Sequence, residues 1–203
     1  MKISKKNIKE VIKIKIDPRS AYTETHIIQL LRTIHKKPKG RTALTKELNL
    51  QESTVRTMLK TLNSKNLTKP TTRGQALTKK GKDIVDTINT HISYPRELNI
   101  STFTRHKNNI AYIIKNPKKS ITTGIKERDS AVRLGASGLI ALTRKNSLEL
   151  IGTGKTKITP PKIIKETLKP KKNNIIIITF APKKSTSELA GLAIALDLVE
   201  FKL

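Results

Sequence analysis

The side chains best placed to do chemistry lie between Gln51 and Leu62. In the run QESTVRTMLKTL, Ser53, Thr54, Arg56, Thr57, Lys60 and Thr61 occupy one side of a helix. On the other side Val55, Leu59 and Leu62 recur at i, i+4 and i+7, with Met58 beside them. Short hydroxyls and long cations suit a helix that lies in a DNA major groove, where hydroxyls reach base edges and cations reach phosphates. Upstream, Thr42 to Leu48 reads as a shorter helix capped by Thr42, with Leu44 and Leu48 on one face. Asn49-Leu50-Gln51 then interrupts the pattern. The spacing predicts a helix-turn-helix with Gln51–Leu62 as recognition helix. Arg56 and Lys60 are the expected DNA contacts, and Ser53, Thr54 and Thr57 the expected base readers. Paired amphipathic helices occur in many folds, so the neighbouring elements decide the matter.

Other constellations fall away on spacing. Gly152-Thr153-Gly154-Lys155-Thr156 resembles the end of a phosphate loop, but the first glycine of G-x-x-x-x-G-K-T would have to stand where Glu149 does. No helix can follow directly, because Pro160 and Pro161 intervene, so no aligned amides would cradle a phosphate. The four histidines, His26, His35, His91 and His106, have no metal-ligand spacing. No serine stands in a G-x-S-x-G turn and no carboxylate pair stands out. The expectation is a chain that is not an enzyme and needs no cofactor or metal. Glu127-Arg128-Asp129 is the remaining cluster, in a predicted helix that abuts the turn Gly135-Ala136-Ser137-Gly138. Arg128 and Asp129 beside Gly135 and Gly138 form a candidate small-ligand site, with Arg128 gripping an anion and the glycines admitting the ligand to the backbone. The competing account is an ion pair within the domain and a turn that merely needs glycine.

Composition sets bounds on these readings. The chain has 203 residues, no Cys and no Trp, so its core must be built from Ile, Leu, Val and Ala. The lack of cysteine rules out a disulfide framework and a thiolate nucleophile. No apolar run reaches the length of a signal peptide or membrane span, and a cytoplasmic protein with no membrane partner is expected. The net charge of +27 favours a polyanionic partner. It is spread evenly: residues 1–95 hold 21 Lys+Arg against 7 Asp+Glu, and residues 96–203 hold 21 against 8. Lys, Ile and Asn, all with AT-rich codons, are abundant throughout, so the charge permits nucleic-acid binding without marking a site.

Taken in order, residues 1–20 read as an N-terminal arm, either a basic arm along phosphates or an edge element packed on its own domain, with a break at Asp17-Pro18. Thr23 to Lys37 reads as a helix capped by Thr23, with Ile27, Leu30, Leu31 and Ile34 in one stripe, stopped by Pro38 and Gly40. After the recognition helix, Asn66 to Thr78 reads as a hairpin with a polar tip, Thr71 to Gln75, that contains Arg73 and Gly74. Lys79 to Ile92 is a further helix. Helix, helix, recognition helix, hairpin, helix is the order of a winged helix. The stretch Leu77-Thr78-Lys79-Lys80-Gly81 resembles the L-T-x-x-G segment that closes the wing in many prokaryotic winged-helix regulators. That resemblance implies DNA binding by Gln51–Leu62, with Arg73 near phosphates or the minor groove.

His91 to Asn99, with Pro95, reads as a linker. Beyond it the order is strand (Asn109–Ile114), helix (Gly124–Leu134), a strand pair (Leu139–Leu142 and Leu148–Ile151), a short helix from Pro160, a strand (Ile175–Phe180) and a helix (Ser187–Val199). The all-apolar Ile175–Phe180 belongs in a sheet centre. Ile125 and Val132, with Arg128 and Ala131, are expected towards one side of their helix, and Leu189, Leu192, Ala193, Leu196 and Val199 are expected to face the sheet.

The stretch from Gly124 to Gly138, followed by Ser187-Glu188-Leu189-Ala190-Gly191, resembles an archaeal family that joins a winged helix to a C-terminal domain of unassigned function. The matching positions are Arg128-Asp129, Gly135, Gly138, Glu188 and Gly191.

The expected fold class is therefore α+β or α/β: a winged helix-turn-helix domain over residues 1–95, and a small α/β sensor or dimerisation domain over residues 96–203. The expected function is sequence-specific transcriptional regulation. Double-stranded DNA would be the partner, a small-molecule effector is a further candidate, and the working form would be a homodimer on half-sites. The alternative is a nucleoid or ribosome-associated protein that binds nucleic acid without sequence preference.

Overall fold

The computed structural model describes residues 16–17, 19–153 and 158–200. The arm expected over residues 1–20 lies outside the described residues except at 16, 17, 19 and 20, and Gly154-Lys155-Thr156 lies outside them entirely. The chain is mixed α and β and divides into two compact units between Ile88 and Asn89. No helix among the described residues is long and apolar enough to cross a membrane.

The first unit contains α1 (Glu24–Lys36), α2 (Arg41–Leu48), α3 (Glu52–Ser64), the hairpin β1 (Thr68–Thr71) and β2 (Gly74–Leu77), and most of α4 (Lys79–His91). Thr23 begins α1, but its partner is His26: the Thr23 N–H donates to His26 Nδ1 at 3.0 Å. The buried surface of α1 is wider than the expected stripe, because Ile28, Gln29 and Arg32 are buried along with Ile27, Leu30, Leu31 and Ile34. Gly40, not Thr42, caps α2. The neighbouring Lys39 pairs by its backbone with Gln75, N to O at 3.1 and 2.9 Å, and this fixes the chain ahead of the expected start. Asn49 ends α2 in a left-handed conformation (φ 52°), which its short polar side chain tolerates.

The L-T-x-x-G stretch has a packing explanation. The Thr78 hydroxyl donates to the Asn66 carbonyl (2.7 Å) and accepts the N–H of Gly81 (3.1 Å), capping α4. Gly81 is buried against Leu67, and an added Cβ would sit 2.1 Å from the Leu67 carbonyl oxygen. The hairpin return is thereby clamped to the start of α4.

The second unit is built on a five-stranded sheet in the order β3 (Arg96–Leu98), β4 (Asn108–Ile114), β7 (Ile175–Ala181), β5 (Gly138–Arg144), β6 (Leu148–Leu150). Every pairing is antiparallel, so of the two expected classes this unit is α+β. β7 occupies the centre, as its apolar run requires. The stretch expected as a linker is instead part of the fold. Ile92 bridges Ile114, and Arg96–Leu98 pairs with Leu98 buried, because a buried β4 edge needs a hydrogen-bonding partner.

One face of the sheet carries α5 (Ser101–Thr104) and α7 (Lys162–Leu168) over Ala111, Leu142, Ile176 and Ile178. The other face carries α6 (Ile125–Arg133) and α8 (Lys184–Leu198). Of the expected stripe on α8, Leu192, Leu196 and Val199 are buried, while Leu189 and Ala193 are only half-buried. Small residues make the contact: a Cβ on Gly191 would fall 2.7 Å from the Tyr112 ring and 2.8 Å from Thr179 Oγ1. Polar bonds fasten the same strip. Tyr112 Oη donates to the Glu188 carbonyl (2.9 Å), Thr179 Oγ1 to the Ser187 carbonyl (2.7 Å) and Ser187 Oγ to the Asn108 carbonyl (3.1 Å). On α6 it is Ala131 that is buried, while Ile125 and Val132 are 54% and 48% exposed. The smallest apolar residue makes the close approach and the larger ones turn outward.

Two outcomes follow for stability. Thr78→Ala should lower the unfolding free energy by about 1–2 kcal/mol and Gly81→Ala by about 1–3 kcal/mol, read by urea unfolding of the full chain. Burial holds the His26 imidazole below the ordinary histidine value, so the folded chain resists a proton that the unfolded chain accepts near pH 6.5. This contribution is complete above pH 6.5 and is lost as the pH falls toward the lowered folded value. His26→Gln keeps an acceptor for Thr23, and its urea midpoint should fall less than the parent's between pH 7.5 and pH 5.5.

Candidate nucleic-acid interface

α3 is pinned by one stripe. Val55, Met58, Leu59 and Leu62 are buried, in the unit whose core also takes Ile27, Leu30 and Leu31 of α1 and Leu44 and Leu48 of α2. With that stripe inward, Ser53, Arg56, Thr57 and Lys60 are exposed, and Thr54 and Thr61 are half-buried at the margins. The structure therefore places Ser53, Arg56, Thr57 and Lys60 together on one accessible face, with Thr54 at its edge.

Three hydroxyls along α3 are already engaged as donors. Thr57 Oγ1 donates to the Ser53 carbonyl (3.0 Å), Thr61 Oγ1 to the Thr57 carbonyl (3.0 Å) and Ser64 Oγ to the Thr61 carbonyl (2.9 Å). Their lone pairs and the threonine methyls remain to meet an incoming surface. Such groups can accept a hydrogen bond or pack on a methyl, but they add no charge of their own.

The cations are organised by a residue that the sequence reading missed. Glu52, in the first turn of α3, lies 3.3 Å from Arg56 and 3.7 Å from Arg41 of α2. A carboxylate there suits the positive end of the helix dipole. It also holds two guanidiniums at the start of α3, so an approaching anion meets cations rather than a bare carboxylate. The Glu52–Arg56 spacing of i, i+4 was visible in the sequence. Arg41 was not, because only the packing of α2 on α3 brings it near. The side chains are half or more exposed, so the cluster contributes little to stability.

Arg73 stands exposed in the two-residue turn Thr72-Arg73 of the hairpin. The turn is shaped by Gly74, at φ 109°, where a Cβ would collide with the Lys39 backbone at 2.4 Å. Thr71 Oγ1 donates to the Gly74 carbonyl at 2.6 Å and closes the tip. Lys39 in turn pairs with Glu47 of α2, so the hairpin base is tied to the strand-like residue that leads into α2.

The second candidate cluster is not gathered into one site. Arg128 bonds its sequence neighbour Asp129 (Nη2 to Oδ1 3.2 Å), with both side chains about half exposed. Arg128 lines a small hollow with Gly124 and Ile151. Gly135 and Gly138 lie past the other end of α6, where Gly138 faces the Phe180 ring: a Cβ would fall 2.6 Å from it. The Ser137 N–H donates to the Phe180 carbonyl at 2.8 Å. The histidines are likewise separate. His35 Nε2 lies 3.0 Å from Asp86, and His106 stacks on Phe180 with ring centroids 5.0 Å apart.

Comparison with known proteins follows this division of the chain. Residues 26–83 match the family model of the PH0730-like, N-terminal domain, and residues 105–198 match that of a domain of unknown function (DUF4443). No curated protein matches. The chain is similar in structure to hypothetical protein PH0730 from Pyrococcus horikoshii OT3, with a TM-score of 0.71 and 25% identity, covering 89% of this chain and 95% of that one. The chain is thus similar to a PH0730-like N-terminal domain within its first unit and to a DUF4443 domain within its second.

Proposed function

We propose that the chain is a sequence-specific DNA-binding transcriptional regulator. Its first unit acts as a winged helix, with α3 in the major groove and the β1–β2 hairpin as the wing. Its second unit senses a small ligand or joins two copies on paired half-sites. One observation carries the reading: α3 buries its whole apolar stripe and leaves Ser53, Arg56, Thr57 and Lys60 on one open face. That face combines long cations for phosphates with short acceptors and methyls for base edges, the mixture that groove binding uses. Arg41 and Arg56 supply charge around the start of α3 and Lys60 further along it, and Arg73 supplies it at the hairpin tip, for phosphates or the minor groove.

A second reading rests on the net charge of +27. A chain so basic binds nucleic acid of any sequence through counterion release alone, as a nucleoid or ribosome-associated protein does. Competition separates the two. A regulator bound to duplexes selected from a random pool should resist displacement by unselected duplex by a factor of about 10³ or more, whereas equal displacement favours the second reading.

The role of α3 is tested by salt titration. Arg56→Ala with Lys60→Ala should weaken duplex binding and flatten the slope of log K against log salt by about 2, near 0.9 per lost phosphate contact. An unchanged slope would remove both residues from the interface.

A further inference from the structure

We propose that the second unit binds a small organic anion in an open cleft at one end of its sheet, bordered by Lys118 and Lys145. The proposal deepens the ligand-sensing part of the function above and rests on that part only for its biological role.

The cleft exists because α8 is shorter than the face it covers. α8 ends at Leu198, whose carbonyl accepts the N–H groups of Lys118 (2.9 Å) and Lys119 (3.1 Å). Past that point the helix-covered face of the sheet turns polar. On β5 the inward series Leu139, Ala141 is followed by Thr143, which pairs with Glu149 of β6 and Ile175 of β7. The segment Pro117–Thr122 forms one wall and the β5–β6 hairpin the other, leaving about 600 Å³. That is within the roughly 300–1,000 Å³ typical of small-molecule sites.

The lining has the two parts that an organic anion requires. Ile121, Ile151 and Ile175 provide an apolar floor. Lys118, Lys145, Ser120, Thr122, Thr143 and Asn173 surround it with donors. Lys119 is committed to Asp197 at 2.5 Å, and Glu149 takes the Ser147 hydroxyl at 2.9 Å. Lys118 and Lys145 have no carboxylate partner among the described residues. Two ammonium groups bordering an apolar floor favour a ligand with a flat or apolar body and a phosphate, sulfonate or carboxylate at one end. Arg128 borders a different, smaller hollow that shares only Leu150, Ile151 and Gly152 with the cleft, so this site is not the one that the Arg128-Asp129 pair suggested.

The test uses the full chain and the fluorescent probe 8-anilinonaphthalene-1-sulfonate, an apolar ring system bearing one sulfonate. Saturable binding is expected, weakened about tenfold or more by Lys118→Gln with Lys145→Gln, as the loss of one charged contact worth ~1.4 kcal/mol would produce. Lys162→Gln with Lys165→Gln removes the same charge from α7, on the opposite face of the sheet, and should leave the affinity unchanged. The neutral analogue N-phenyl-1-naphthylamine should bind more weakly than the sulfonate. Equal loss in both double variants, or equal binding of the two probes, would overturn the assignment. Displacement of the probe by duplex DNA would also overturn it, placing the cleft in a nucleic-acid surface. Duplex affinity measured on the Lys118/Lys145 variant keeps the cleft and the α3 surface apart: probe binding lost with duplex affinity intact supports the cleft, whatever the duplex itself proves to require.

Discussion

Burial of a single stripe on α3 sets the orientation of everything that makes the first unit interesting. Val55, Met58, Leu59 and Leu62 leave water together, and each such side chain is worth about 1.5–3 kcal/mol when fully buried. Successive residues of a helix are turned by about 100°, so fixing that stripe leaves no freedom in where the others point. Any substantial rotation of α3 would drive Arg56 or Lys60 into the core, where an unpaired charge costs several kcal/mol. The polar face is thus held outward by the apolar one. The hairpin obeys a similar constraint through backbone contacts. Gly74 lies against Lys39, and Gly81 against Leu67, at distances that leave no room for a side chain.

The second unit uses close approach in place of large side chains. Ser187 and Gly191 let α8 settle onto Tyr112 and Thr179, and the polar groups trapped there bond to one another or to backbone carbonyls. Several residues that carry the family resemblance take their meaning from this packing. Glu188 contributes its backbone carbonyl to Tyr112, Gly191 admits the Tyr112 ring, and Gly138 admits Phe180. Their side chains, or lack of them, answer to helix–sheet distance. The same economy leaves the sheet uncovered beyond Leu198, where polar residues replace apolar ones along β5 and the cleft opens.

Much of this was legible in the residues alone. α1, α3, α4, the hairpin and β7 all lie within a residue or two of where periodicity and turn chemistry put them, because each is specified by contacts within a few residues. The polar face of α3 was legible for the same reason. Arg41 was not, since it meets Glu52 only when α2 docks on α3. β3 was hidden inside a stretch that Pro95 made look like a connection, and only pairing with the edge of β4 turns it into a strand. Ile125, Ala131 and Val132 were expected on one side of α6, yet of the three only Ala131 is buried.

The amino-acid sequence by itself determined where the longer helices and the central strand lie, which face of α3 is greasy, and where the hairpin turns. Those properties depend on side-chain type at fixed short spacings. Only the tertiary structure decided that the sheet is antiparallel, that small residues seat α8, that Glu52 gathers two arginines, and that lysines border a cleft beyond the helix end. Each of these depends on residues far apart in the chain, and a local pattern records how much apolar surface a segment has without recording what will cover it.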